Sequence, residues 1–215
     1  MSESQPVVLV VDDDISVRES LELLLRNEGL DVETFVSAQE FLDCPPKTVP
    51  SCLLLDISLP GLNGLDLQKR LAVERYEMPI IFITGHGDIP KSVQAMKAGA
   101  VEFLTKPFSD EILLSAIRNA LVRSRALLER SAEIRELKAR YSSLTSRERE
   151  VMALVVVGLP NKLVGDELGI SEITVKAHRG SLMRKMKAES LAELVSIAAR
   201  LRLPRPAGSA MPSAR

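Results

Sequence analysis

Five short segments typical of strands occur in the first 118 residues of this chain, and helix-forming segments separate them. Each is four or five residues long, and the first, third and fourth are wholly apolar, which is the pattern of strands buried on both faces. Strands that alternate with helices pair in parallel, so the pattern predicts an open, doubly wound α/β sheet. The predicted strands are Val7–Val11, Val32–Phe35, Cys52–Leu55, Ile80–Ile83 and Val101–Leu104.

Polar side chains follow four of these predicted strands. Right-handed crossovers place the carboxyl ends of all parallel strands on one edge of a sheet, which is where open α/β sheets bind ligands. We therefore expect the following residues to meet there: Asp12 and Asp13 after the first strand, Asp56 after the third, Thr84 after the fourth and Lys106 after the fifth.

This set of residues favours a site for a phosphoryl group. Three carboxylates in one crevice repel one another unless a cation compensates their charge, and Mg²⁺ accepts a few oxygen ligands together with water. Asp56 is then a candidate nucleophile, Lys106 a second positive charge and Thr84 a hydroxyl donor. Any one of these residues alone is more often a cap, a turn residue or a surface residue, so the prediction depends on their order along successive strands.

The last 60 residues predict a different fold. A short helix, Asn161–Leu168, a turn at Gly169 and a basic helix, Glu172–Met186, form the pattern of a helix-turn-helix. Residues 171–187 carry five Lys or Arg against one acidic residue. A solvated helix face alone could explain these charges, but within a helix-turn-helix they favour contact with DNA.

Charge is distributed unevenly along the chain. The net charge is −1, yet residues 1–118 hold 10 Lys or Arg against 19 Asp or Glu, whereas residues 144–203 hold 10 against 7. This asymmetry suggests different partners for the two halves, although the basic excess by itself is weak support for nucleic acid. No apolar stretch is long enough to cross a membrane, and two cysteines make no disulfide framework, so we expect a cytoplasmic protein.

Three segments of the first half form a specific combination: VVDDDISVRESL, LLLDISLPGLNG and FITGHGDIPKSVQAMKAGAVEFLTKPF. Together they resemble the receiver domain of two-component response regulators. The resemblance implies a flavodoxin-like, five-stranded parallel sheet with strand order 2-1-3-4-5. It also implies that Asp56 accepts a phosphoryl group from a sensor histidine kinase and that Mg²⁺ is held by Asp12, Asp13, Asp56 and the carbonyl oxygen of Ser58.

The same resemblance assigns roles to the remaining residues at the sheet edge. By position, Thr84 matches the residue whose hydroxyl takes part in the conformational switch of such receivers. Lys106 matches their characteristic lysine. The Lys106–Pro107 peptide is expected to be cis, since X–Pro is the common place for a cis bond. Phe103 matches the switch aromatic residue, and we interpret it as a core residue that moves on phosphorylation.

The second half carries LTSREREVMALVVVGLPNKLVGDELGISEITVKAHRGSLMRKM, which resembles the LuxR-type helix-turn-helix domain of FixJ/NarL-group response regulators. By position, the predicted DNA-binding residues are Thr174, Lys176, Ala177 and Gly180 toward the bases, with Arg179 and Lys185 as phosphate contacts. Gly165 and Gly180 depart from the family pattern, and each glycine costs about 1 kcal/mol relative to alanine in a helix interior.

These observations predict four segments. Residues 1–122 form the receiver, residues 123–143 a linker helix, residues 144–203 an all-α, four-helix DNA-binding domain and residues 204–215 a disordered tail. Apolar residues of the linker recur at helical spacing, which fits either a short coiled coil between protomers or packing against the chain's own domains. This stripe consists of Leu127, Ile134, Leu137, Tyr141 and Leu144.

The predicted function is a phosphorylation-dependent transcriptional response regulator that forms a homodimer on phosphorylation and binds double-stranded DNA. It is expected to catalyse only its own phosphotransfer and dephosphorylation. One alternative is a Mg²⁺-dependent phosphotransferase or phosphatase with Asp56 as nucleophile, but residues 144–203 then leave no substrate domain. A second alternative is a module that binds another protein when phosphorylated. Its affinity for that partner would depend less steeply on salt than the affinity of a DNA-binding protein for DNA.

Overall fold

A computed structural model of the chain describes residues 5–73, 78–85 and 89–204. The chain divides into two compact units, Met1–Glu129 and Arg130–Arg215. The boundary between the units falls inside the segment predicted as a linker helix. The predicted disordered tail lies, apart from residue 204, outside the described residues.

The described part of the first unit contains a five-stranded parallel sheet. The strands are β1 (Val7–Val11), β2 (Asp31–Phe35), β3 (Ser51–Asp56), β4 (Ile80–Thr84) and β5 (Glu102–Thr105). Their order in the sheet, β2-β1-β3-β4-β5, is the predicted doubly wound order, so the fold prediction is confirmed. Every residue of β1, β3 and β4 is buried, because helices cover both faces of the sheet.

Five helices accompany these strands in the described residues: α1 (Ile15–Asn27), α2 (Ala38–Leu42), α3 (Gly64–Val73), α4 (Ile89–Lys97) and α5 (Asp110–Ser142). Alternate strand residues point to opposite faces, so the sheet is covered by two apolar cores. Leu53 and Phe82 belong to the core that includes α2, α3 and α4, whereas Leu54 and Ile81 belong to the core beneath α1 and α5.

The carboxyl ends of β3 and β4 extend one residue further than the sequence predicts. Asp56 is the last residue of β3 and pairs with Ile83, and Thr84 is the last residue of β4 and pairs with Thr105. Both polar residues are therefore held by the sheet itself rather than by a loop. This fixes their positions at the edge where a ligand would bind.

Helices α6 (Ser146–Val155), α7 (Asn161–Leu168), α8 (Glu172–Met186) and α9 (Leu191–Arg200) follow α5 in the second unit. Their apolar sides form one core, to which α8 contributes Val175, Leu182 and Met186. Between α7 and α8, Gly169 adopts a left-handed conformation that ends α7 and turns the chain. The predicted all-α helix-turn-helix fold is confirmed.

Three residues of the predicted apolar stripe pack against the second unit of the same chain. Leu137 and Leu144 lie in the core of the second unit, and Tyr141 packs against that core. For these three residues the structure therefore supports packing against the chain's own fold. Among the described residues, no helix combines the length and apolar character needed to cross a membrane.

Candidate functional site

Three carboxylates meet at the carboxyl edge of the sheet. Asp12 follows β1 directly, Asp13 comes next, and Asp56 ends β3. One carboxylate oxygen of each lies within 4.8 Å of the others, and Asp12 and Asp56 are buried while Asp13 is exposed. Buried carboxylates this close together need a cation to balance their repulsion. The oxygen donors fit a hard divalent cation such as Mg²⁺, with Asp13 on the side that is open to water.

Asp56 is in an environment that opposes its negative charge. Burial raises the pKa of this carboxyl above its usual range, and the neighbouring charges of Asp12 and Asp13 act in the same direction. The positive charge of Lys106 and a hydrogen bond from the backbone N–H of Ser58 to Asp56 Oδ2 (3.2 Å) act against this rise. An additional positive charge at the site would therefore favour the ionised form that a nucleophile requires.

Lys106 reaches across the site to Asp12. Its ammonium Nζ lies 2.7 Å from Asp12 Oδ2, although the two residues are 94 positions apart in the sequence. The backbone N–H of Lys106 donates to the carbonyl oxygen of Thr84 at 2.7 Å, which holds the end of β5 beside β4. The Lys106–Pro107 peptide is cis, as the resemblance implied.

Thr84 and Phe103 lie on neighbouring strands beside this cluster. Thr84 is 3% exposed at the end of β4. Phe103 on β5 is half-buried, and its ring centroid lies 6.5 Å from that of Phe82 with the two rings tilted by 40°. Phe103 thus packs against the core that includes α4 but is only partly buried there.

Two residues that support the site were not predicted from the sequence. Arg18 on α1 donates from Nη1 to the carbonyl oxygen of Asp12 at 2.8 Å, which steadies the backbone after β1. Gly64 begins α3 so close to the strand that a Cβ atom there would lie 2.4 Å from the carbonyl oxygen of Asp56. The turn residues around Gly64 indicate a bend in the chain, but their spacing does not reveal this close approach.

The predicted DNA-contacting residues lie on α8, with mixed accessibility. Lys176, Ala177 and Gly180 are exposed. Thr174 is half-buried, and its Oγ1 lies 2.8 Å from the Oγ of Ser171, the residue that caps α8. The first three residues are therefore accessible to a ligand, although Lys176 forms an exposed ion pair with Glu172. The Thr174 hydroxyl already has a partner at the start of the helix.

Arg179 and Lys185, predicted as phosphate contacts, bind side chains of their own unit. Arg179 Nη1 donates to Asn161 Oδ1 at 3.1 Å, which links α8 to the start of α7. Lys185 Nζ lies 2.7 Å from Glu148 Oε2 on α6. Both side chains thus help to position α8, and their contact with phosphate stays a prediction.

Glu148 is the buried charge that organises this helical unit, and the sequence revealed only part of its role. It forms a capping box with Thr145, and it also accepts a hydrogen bond from Ser181 Oγ at 2.6 Å. Burial opposes ionisation of this carboxyl, but hydrogen bonds from Lys185, Ser181 and Thr145 outweigh it and lower the pKa to about 2. An ionised Glu148 therefore ties α6 to the middle of α8.

Comparison with protein-family models gives a match to each half of the chain. Residues 8–118 match the family described as "Response regulator receiver domain". Residues 142–198 match the family described as "Bacterial regulatory proteins, luxR family". The first match covers the sheet and its acidic cluster, and the second covers the helix-turn-helix.

Several known proteins are similar to nearly the whole chain. Nodulation protein W of Bradyrhizobium diazoefficiens is 52% identical over 192 residues, which cover 89% of this chain and 85% of that protein. The solved structure of the response regulator StyR is 46% identical, covers 92% of this chain and all of its own, and superposes with a TM-score of 0.78. Full-length FixJ from B. japonicum is 41% identical, covers 92% of this chain and 98% of its own, and gives a TM-score of 0.55.

Proposed function

Because the chain belongs to the family of response regulators that join a receiver domain to a LuxR-type DNA-binding domain, it is a phosphorylation-dependent transcriptional regulator, and we propose that Asp56 accepts the phosphoryl group. A receiver domain implies a histidine kinase as partner, and the C-terminal domain implies DNA. The observation that carries the proposal is the cluster of Asp12, Asp13 and Asp56, with Lys106 beside it, at the carboxyl edge of the sheet.

Phosphotransfer in this proposal begins with an oxygen of Asp56. The carboxylate oxygen attacks the phosphorus of the kinase phosphohistidine, a P–O bond forms, and the P–N bond breaks with its electron pair left on the imidazole nitrogen, which takes up a proton. Asp12, Asp13, Asp56 and the carbonyl oxygen of Ser58 would hold Mg²⁺, which neutralises charge on the phosphoryl oxygens when bound. The receiver in this proposal catalyses only its own phosphorylation and the later hydrolysis of its acyl phosphate.

The switch in this proposal starts from the ion pair between Lys106 and Asp12. A phosphoryl group on Asp56 adds oxygen acceptors and negative charge, so Lys106 and the hydroxyl of Thr84 gain a stronger partner there. Movement of Thr84 toward the phosphoryl group leaves space into which the half-buried Phe103 turns. The local charge change thereby alters the surface formed by α4, β5 and the first turns of α5.

The output of the switch is DNA binding by a homodimer. Thr174, Lys176, Ala177 and Gly180 on α8 face the bases, and Arg179 and Lys185 contact phosphates. Two copies bound to adjacent half-sites raise the affinity without new contacts in either copy. Since the target is bacterial DNA, the regulator acts in the cytoplasm.

Labelling with radioactive acetyl phosphate in the presence of Mg²⁺ tests the central assignment. We expect the wild-type chain to take up one phosphoryl group and Asp56→Asn to take up none. Asp14→Asn is the matched control, because Asp14 only accepts the cap hydrogen bond from the N–H of Ser16 and asparagine caps equally well. Full labelling of Asp56→Asn, or its loss in both variants, contradicts the assignment.

A further inference from the structure

Helix α8 presents one straight row of residues to solvent, which we call the outer line: Ile173, Ala177, Gly180 and Arg184. At about 100° per residue these four positions fall within roughly 60° of one another on the helix surface. The buried side of α8 is centred on Leu182, about 180° away from Ile173. The outer line is therefore the part of α8 that lies farthest from the core of its own unit.

The chemistry of the outer line differs from that of its flank. Ala177 offers a single methyl group, and Gly180 has no side chain, with nothing within 4 Å of the position where a Cβ would lie. Lys176 beside the line is exposed and bound to Glu172, with Nζ and Oε1 2.9 Å apart. The centre of the exposed face thus carries only small or no side chains and is apolar. The cationic side chains lie beside it, at Lys176, and at its C-terminal end, at Arg184.

Ile173 stands at the N-terminal end of the outer line and is 79% exposed. It is the most exposed large apolar side chain in the described part of the second unit. Single exposed apolar residues are ordinary on protein surfaces. Ile173 differs because it lies in the first turn of the helix whose N-terminal residues contact base edges in helix-turn-helix proteins.

We propose that Ile173 contacts the C5 methyl group of a thymine in the major groove and thereby helps to set the sequence preference of this regulator. The inference rests on the proposed DNA-binding function and goes beyond it by naming the base and the group contacted. Thymine alone presents a methyl group in the major groove, and apolar side chains recognise it there. The low profile of Ala177 and Gly180 lets the helix approach closely enough for Ile173 to reach the base.

The contribution of the proposed contact to DNA affinity can be predicted. Removal of one methyl group from an apolar contact lowers affinity by about fourfold. The loss is confined to one thymine, or to the two symmetry-related thymines of a dimeric site. A contact with phosphate would instead weaken binding to all sequences equally.

The test begins with the full chain, Mg²⁺ and beryllofluoride, used to select a binding site from a pool of random-sequence duplexes at fixed salt. Each thymine of the selected site is then replaced singly by deoxyuridine, which removes only the C5 methyl group. We expect the wild-type chain to lose about fourfold in affinity at one position of each half-site. Ile173→Ala loses this sensitivity, whereas Ile173→Val retains it.

Lys176→Ala is the control from the same face of α8. We expect it to weaken DNA binding but to keep the loss of affinity that deoxyuridine causes in the wild-type chain. Circular dichroism checks that Ile173→Ala is folded, as the exposure of Ile173 leads us to expect. Equal deoxyuridine profiles for the wild-type chain and Ile173→Ala overturn the inference, and so does a wild-type chain that is insensitive at every thymine. A pool that yields no preferred sequence contradicts the proposed function itself, which separates the two failures.

Discussion

Glu148 shows how a single buried charge can hold the second helix of a helix-turn-helix in place. Its carboxylate accepts hydrogen bonds from Lys185 and Ser181 on α8 while it completes the cap of α6. The sequence contains the local signal for this cap, a Thr three residues before a Glu. It did not predict the contacts with α8, because they join residues 33 and 37 positions apart in the sequence.

Replacement of Glu148 should reveal this role through its pH dependence. The pKa is lowered from 4.5 to about 2, so the stabilisation is complete above 4.5 and is lost as the pH falls toward 2. We expect Glu148→Gln to destabilise the α6–α8 contact by about 1–3 kcal/mol at neutral pH and by progressively less below pH 4.5. Hydrogen exchange of the α6 and α8 peptides, read by mass spectrometry, measures the effect.

Glu150→Gln is the matched control for that experiment, because Glu150 is an exposed acid on the same helix and forms a surface pair with Arg147. Exposed pairs of this kind contribute at most about 1 kcal/mol. Similar losses of protection in both variants would show that Glu148 acts as an ordinary surface charge.

The residues at the edge of the sheet could be predicted one by one because a polar group ends or follows four of the five strands. Asp12, Asp56, Thr84 and Lys106 all lie where the strand pattern put them, at one edge of the sheet. The sequence could not show that Lys106 pairs with Asp12 in this state. Which of the neighbouring carboxylates Lys106 pairs with depends on differences in distance of about an ångström. The periodicity of the strands contains no information on such distances.

At the scale of elements, α7 and α8 contain the two glycines that depart from the family pattern, and the structure separates their roles. A Cβ at Gly180 meets nothing within 4 Å, so this glycine carries only its conformational cost. A Cβ at Gly165 would lie 2.6 Å from the carbonyl oxygen of Ile170 in the turn between the helices. From sequence alone both positions looked equally unfavourable, because helix propensity ignores the neighbouring backbone.

The pair predicts opposite effects of the same substitution. Gly180→Ala should stabilise the second unit by about 1 kcal/mol, which corresponds to a rise in Tm of about 4–8 °C for a unit of this size. Gly165→Ala should lower Tm, because the turn must move to admit the methyl group. Calorimetry of the full chain measures both variants, and a rise in Tm for Gly165→Ala would contradict the close approach.

The element boundaries were predicted well wherever a cap or a glycine marks them. α7 and α8 begin and end at the predicted residues, since Gly169 ends the first and Ser171 caps the second. By contrast, α6 ends at Val155, although two further apolar residues come before Gly158. Apolar periodicity continues through Val156 and Val157, so nothing in the local pattern indicates where the helix stops.

At the scale of the whole molecule, the proposed switch connects chemistry at Asp56 to the number of chains in the complex. We expect the wild-type chain with Mg²⁺ to be a monomer and to become a dimer when beryllofluoride is added as a phosphoryl mimic. Light scattering gives the mass in each state. Asp56→Asn should remain a monomer under both conditions, since it cannot hold the mimic.

Two other results of that measurement would be informative. A wild-type chain that binds the mimic and stays a monomer would contradict dimerisation as the output of the switch. A chain that does not bind the mimic would contradict the role of Asp56. Fluorine NMR of the bound mimic distinguishes these two results.

The 33 residues of α5 belong to both units. Leu113 and Ile117 lie in a core of the first unit, and Leu137 lies in the core of the second. A DNA-binding fragment that starts at Leu144, where the sequence predicts that the domain begins, therefore lacks a part of its own interior. Exchange of receiver halves between such regulators, in evolution or in the laboratory, has to place the junction within this helix, after Leu121 and before Leu137, so that each hybrid inherits both cores complete.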